Sequence, residues 1–175
     1  MLAAECAWII LRAEHTRIRE LLALVGGMVK ARDWGRPGPQ AAALVELIER
    51  LQAFEEATHR PKGVVLLEML RGRSAEADQL LDELELESKH CDGLLSQAKA
   101  MLRPAESGET VAIGAVENLL EEHRLLMLAH LDREDTLLHS QTAQLLTGDE
   151  WAAVVSSMSA AMEVAKERDR GRPCP

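Results

Sequence analysis

Apolar residues in this chain recur every three and four positions over long stretches, and they nowhere alternate with polar residues for any length. In the first run, Trp8, Leu11, His15, Ile18, Leu22 and Val25 fall on one stripe of a helix with about 3.6 residues per turn. This period constrains the fold most, because such a stripe is buried by packing against other helices. Composition agrees with it. Of 175 residues 47% are apolar but only 2% are aromatic, with one Phe and no Tyr. Leu, Ala, Val and Met must therefore fill the core, which suits helices better than a β-sandwich. The length suffices for one sizeable core and one domain.

The spacing predicts five helices. The first runs over 3–31, with Glu14, Arg17, Arg19 and Glu20 pointing away from its stripe. Asp33 to Pro39 is a loop rich in Gly and Pro. The second helix starts near Pro39 and carries Leu44, Leu47, Ile48 and Leu51. Pro61 interrupts it, so either the helix kinks or two short helices meet before residue 71. Ser74 is placed to cap a third helix over 75–102, on which His90 aligns with Leu86, Leu94, Gln97 and Met101. Pro104 to Gly108 reads as a polar loop. The fourth helix, over 110–145, has the stripe Ile113, Val116, Leu120, His123, Met127, His130, Glu134, Leu137. Thr147 and Glu150 have the spacing of a capping box and open a fifth helix bearing Trp151, Val154, Val155, Met158 and Met162. These elements imply an all-α, up-down-up-down four-helix bundle over 1–146, a C-terminal helix over 147–168 packed on the bundle or on a partner, and a flexible tail over 169–175.

Several function classes are disfavoured at once. A net charge of −9 argues against nucleic acid, which needs a basic surface. Cys6, Cys91 and Cys174 form no C-x-x-C pair, so neither a disulfide framework nor a zinc knuckle is expected, and the chain reads as cytoplasmic with reduced thiols. The run Trp8 to Leu11 is too short to span a membrane. There is no Gly-rich phosphate loop and no G-x-S-x-G elbow.

What stands out is one histidine within the apolar side of each of four helices: His15, His59, His90 and His130. A single such histidine is most simply a core residue bonded to a carbonyl. Four on consecutive helices suggest a metal site, since imidazole is a common ligand and bundle cores build metal sites from facing helices. His130 and Glu134 lie four apart, on one helix face. His123, about 10 Å along the axis from His130, is read as a core histidine. His139 has no assigned role.

The order Ala13-Glu14-His15, Thr58-His59-Arg60-Pro61-Lys62, His90 and His130-x-x-x-Glu134-Asp135 resembles the hemerythrin-like (HHE cation-binding) domain family over about residues 8–146. The resemblance implies a four-helix bundle holding two non-haem irons bridged by carboxylates, with His15, His59, His90, His130 and Glu134 at ligand positions. It also implies O2, peroxide or NO as small ligands, in roles of sensing, redox response or iron handling rather than a demonstrated enzyme activity. The departures are specific. Arg60 stands where the family usually has a second histidine, and Gly63, followed by Val64, stands where it has a bridging glutamate. A mononuclear metal or a degenerate site on a helical interaction protein therefore stays open. So does a ferritin-like di-iron carboxylate protein, since Glu56 to His59 and Glu87 to His90 are both E-x-x-H. The fifth helix leaves a homodimer open.

Overall fold

The computed structural model describes residues 2–36, 39–106 and 109–170, and among them 93% are helical with no strand. Helix α1 covers Leu2–Ala31 and is followed by a 3-10 turn at Asp33–Gly35. The second predicted helix is α2 (Pro39–Phe54), a π-helical turn at Glu55–His59, and α3 (Arg60–Leu70). Helix α4 spans Ala75–Glu106. Next come α5 (Ile113–Arg133), a second π-helical turn at Glu134–Leu138, and α6 (His139–Leu145), and finally α7 (Gly148–Arg170).

The first part of the expected loop from Pro104 to Gly108 is helical instead: α4 continues to Glu106, with one backbone hydrogen bond forgone at Pro104, and Ser107 and Gly108 lie outside the described residues. Both expected caps are present. Ser74 Oγ accepts from the Ala77 N–H at 3.0 Å, and the Thr147 N–H donates to Glu150 Oε2 at 2.8 Å. Gly72, at φ 79°, supplies the left-handed turn after α3. Residues 171–175, including Cys174 and most of the expected tail, lie outside the described residues.

The chain divides into two compact units. One is drawn from Met1–Thr16, Ala53–Asp82 and Arg133–Pro175. Its core includes Trp8, Leu11, Leu66, Leu70, Leu80, Leu138, Trp151, Val154 and Met158. Within it α7 packs along α3, which buries the Trp151 to Met158 stripe that the sequence left open to a partner. The other unit is drawn from Arg17–Gln52 and Glu83–Asp132. Its core is built on Ile18, Leu22, Trp34, Leu44, Ile48, Leu84, Leu95, Leu102 and Leu120. Trp34 is 1% exposed and its indole N–H donates to the Val29 carbonyl at 3.1 Å.

The third helix corrects one expected stripe. The buried residues of α4 around His90 include Leu84, Cys91, Leu94, Leu95 and Ala98, whereas Leu86 is 67% exposed. The apolar face is thus rotated from the run through His90, and His90 is exposed. The first helix carries a second correction: Glu14 is buried rather than pointing away.

Candidate metal centre

Two wide turns carry the chemistry of the first unit. His59 closes the π-helical turn at Glu55–His59, and Glu134 opens the one at Glu134–Leu138. In each, a backbone N–H reaches five residues back: Arg60 donates to the Glu55 carbonyl, and His139 to the Glu134 carbonyl. A π turn inserts one residue into the helical register and re-aims the side chains beside it. It also resolves the conflict posed by Pro61. In a regular α-helix the proline ring would meet the carbonyl four residues back. The widened turn shifts that register, so the chain passes Pro61 without a break.

His15 from α1, His59 and Glu134 converge, with one ligand atom from each lying within 4.8 Å of the other two. His15 Nε2 is 3.0 Å from Glu134 Oε2, and His59 Nε2 is 3.6 Å from the same oxygen. Two atoms each about 2.1 Å from one metal stand roughly 3.0 Å apart at a right angle and roughly 3.4 Å at the tetrahedral angle. The 3.0 Å separation falls in that range, and the 3.6 Å one lies about 0.2 Å beyond it.

Hydrogen bonding sharpens the reading. His15 Nδ1 is 2.8 Å from Asp135 Oδ1, and in the neutral tautomer that donates there the Nε2 lone pair faces the site. Nε2 of this 1%-exposed residue has no hydrogen-bond partner, although Glu134 Oε2 lies close by. A lone pair facing a carboxylate oxygen at that distance is repulsive unless a cation sits between them. The residues therefore fit a metal ion.

The far side of His59 is different. Its Nδ1 is 3.5 Å from Glu14 Oε2, and neither atom has a hydrogen-bond partner. The other Glu14 oxygen accepts from the Lys62 ammonium, which also donates to the Thr58 carbonyl at 3.0 Å. Lys62 is only 4% exposed. Burial disfavours a charged His59 ring, but the Glu134 and Glu14 carboxylates outweigh it and push the imidazole up to about 9. Nothing lies within 4 Å of the point where a Gly63 Cβ would stand.

The profile of the Hemerythrin HHE cation binding domain matches residues 7–142, most of the chain. The chain belongs to that family. No curated protein and no solved structure matches it. The hemerythrin-type resemblance of the sequence is thus shown, and with it cation binding as the family's property.

This hemerythrin-type domain brings together three of its five expected ligands. The other two belong to the second unit. His130 is buried, with Nδ1 3.2 Å from Glu87 Oε2. His90 is 56% exposed and faces the equally exposed Glu122 at 3.5 Å. His123 is buried, and its Nε2 has no hydrogen-bond partner. Burial lowers its pKa to about 4, against the opposing pull of Asp92. Glu56 and Glu68, acids of the same helical stretch as His59, are exposed, and His139 stacks edge-on against Trp8 with ring centres 4.7 Å apart.

Two residues of these clusters, Glu14 and Lys62, escape sequence reasoning as contributors, whereas Asp135 and Glu87 enter it only within the His130-x-x-x-Glu134-Asp135 and E-x-x-H patterns. A signal existed for Glu14: Ala7, Leu11, Glu14, Ile18, Leu21 and Val25 form a run of three- and four-residue steps, parallel to the one through His15. Glu87 lies on the similar run Leu84, Glu87, Cys91, Leu94, Ala98. Nothing in the sequence distinguishes the buried Lys62 from a solvated lysine.

Proposed function

We propose that this hemerythrin-type domain binds non-haem iron through His15, His59 and Glu134, and that it presents the ion to a small ligand such as O2, NO or peroxide. The observation that carries the reading is the facing pair His15 Nε2 and Glu134 Oε2, 3.0 Å apart with no hydrogen bond between them. Two imidazoles and one carboxylate are the donor set associated with ferrous sites that keep open coordination positions. Bound there, iron would supply a redox-active centre able to take up a diatomic or peroxide ligand.

The chain's own residues prepare that position. Asp135 fixes the His15 tautomer and ring orientation, as acidic partners of metal-bound histidines commonly do. The exposure of His90 favours leaving it out of the set. The family relationship supports an up-down-up-down bundle of α1, α2–α3, α4 and α5–α6 over 1–146, with α7 as an addition to it.

Metal analysis of protein purified under low oxygen tests this. Iron should be retained in the native chain and in His90→Ala, and largely lost in His15→Ala, His59→Ala and Glu134→Ala. No first-row metal after iron supplementation would defeat the proposal in favour of a helical interaction protein. Retention of zinc alone would defeat the iron assignment.

A further inference from the structure

We propose that the Lys62 ammonium is a built-in substitute for a second metal cation, so that this centre takes one divalent ion per chain. The inference rests on the metal reading above and fixes its nuclearity.

Carboxylate supply comes first. Among the described residues of the first unit, Glu14, Glu134 and Asp135 each place an oxygen within 3.6 Å of a ring nitrogen of His15 or His59, and two of them are already engaged. Asp135 holds His15 Nδ1 at 2.8 Å, and Glu14 accepts from Lys62. Among the described residues, Glu134 has the oxygen directed at both His15 Nε2 and His59 Nε2, at 3.0 and 3.6 Å. A second ion next to it would need further oxygen donors. The position four residues after His59, from which a carboxylate would reach back along one helix face, is Gly63.

Charge leads to the same count. Glu14, Glu134 and Asp135 bring three negative charges, Lys62 returns one, and a single divalent ion balances the remainder. A second divalent ion would leave the site two charges positive, and uncompensated charge at a largely buried position is disfavoured. Lys62 is well placed to play this part. Its 4% exposure shows that it is not a surface lysine folded over, and its two contacts, Glu14 and the Thr58 carbonyl, hold the ammonium beside Glu14. Glu14 Oε2 in turn lies 3.5 Å from His59 Nδ1, so the ammonium and the metal position flank one imidazole from opposite sides.

Stoichiometry by anaerobic equilibrium dialysis of the full chain against Co2+ or Fe2+ tests the proposal. The native protein should saturate at one ion per chain. Gly63→Glu, where the added Cβ meets nothing within 4 Å, should also stop at one, because the ammonium is still present. Lys62→Met combined with Gly63→Glu should take two. Helical content by circular dichroism identifies folded variants, and the native count does not depend on any variant folding. Two ions in the native chain, both lost in Glu134→Ala, would overturn the proposal while leaving the metal reading intact. Two ions in Gly63→Glu alone, or one in a folded double variant, would remove Lys62 from the role. No ion in any form would overturn the metal reading and this inference together.

Discussion

His123 should make the stability of this protein fall in mild acid by a predictable amount. The ring is 1% exposed, its Nε2 has no hydrogen-bond partner, and burial brings its pKa to about 4 from an ordinary value of 6.5. The folded pKa lies below the unfolded one, so the unfolded chain takes up the proton first. The neutral ring therefore costs nothing above pH 6.5, and stability is lost as pH falls from there towards 4. Linkage puts the loss at about 2 kcal/mol at pH 5 and about 3 kcal/mol at pH 4. His123→Leu keeps an apolar side chain of similar size and abolishes this proton. Urea unfolding of both metal-free proteins from pH 7.5 to 4 isolates the effect, since the carboxylates titrate alike in each. The variant should gain about 3 kcal/mol relative to the native chain over that range. A constant difference across the range would refute the assignment of His123 as a buried neutral imidazole.

Three further outcomes follow from the structure. In the metal-free protein His59 holds a proton up to about pH 9 that a metal must displace, so apparent metal affinity should rise about tenfold per pH unit, or roughly 100-fold from pH 6 to 8. A pH-independent affinity in chelator competition would contradict this. Asp135→Ala should weaken metal binding by about ten- to 100-fold while leaving the melting temperature of the metal-free chain little changed, because it frees the His15 ring; competition titration and thermal melts read the two effects separately. Trp34→Ala should cost about 3–5 kcal/mol by denaturant unfolding, since it empties a buried position and abandons a hydrogen bond to Val29.

The helices themselves were legible because their signals are local. Apolar spacing, the Ser74 cap and the Thr147–Glu150 box lie within a few residues of what they specify, and the observed bounds of α1 follow them closely. Phase was less legible. On α4 two overlapping runs, one through Glu87 and one through His90, have the same three- and four-residue steps. Only packing selects the run that turns Leu84 and Cys91 inward and leaves Leu86 and His90 out.

By itself the sequence determined an all-helical chain of hemerythrin type, the positions of His15, His59, His130 and Glu134, and the missing acid at Gly63. Those are properties of residue identity and spacing along one helix at a time. Tertiary structure decided which of them meet and in what charge state. The π-helical turns that aim His59 and Glu134 are adjustments of backbone register, and no residue pattern announces them. The Glu14–Lys62 pair joins residues 48 positions apart, and its burial depends on the packing of separate helices. A lysine in a sequence is by default a solvated surface charge; only the fold, by taking water away from it, makes this one part of the site.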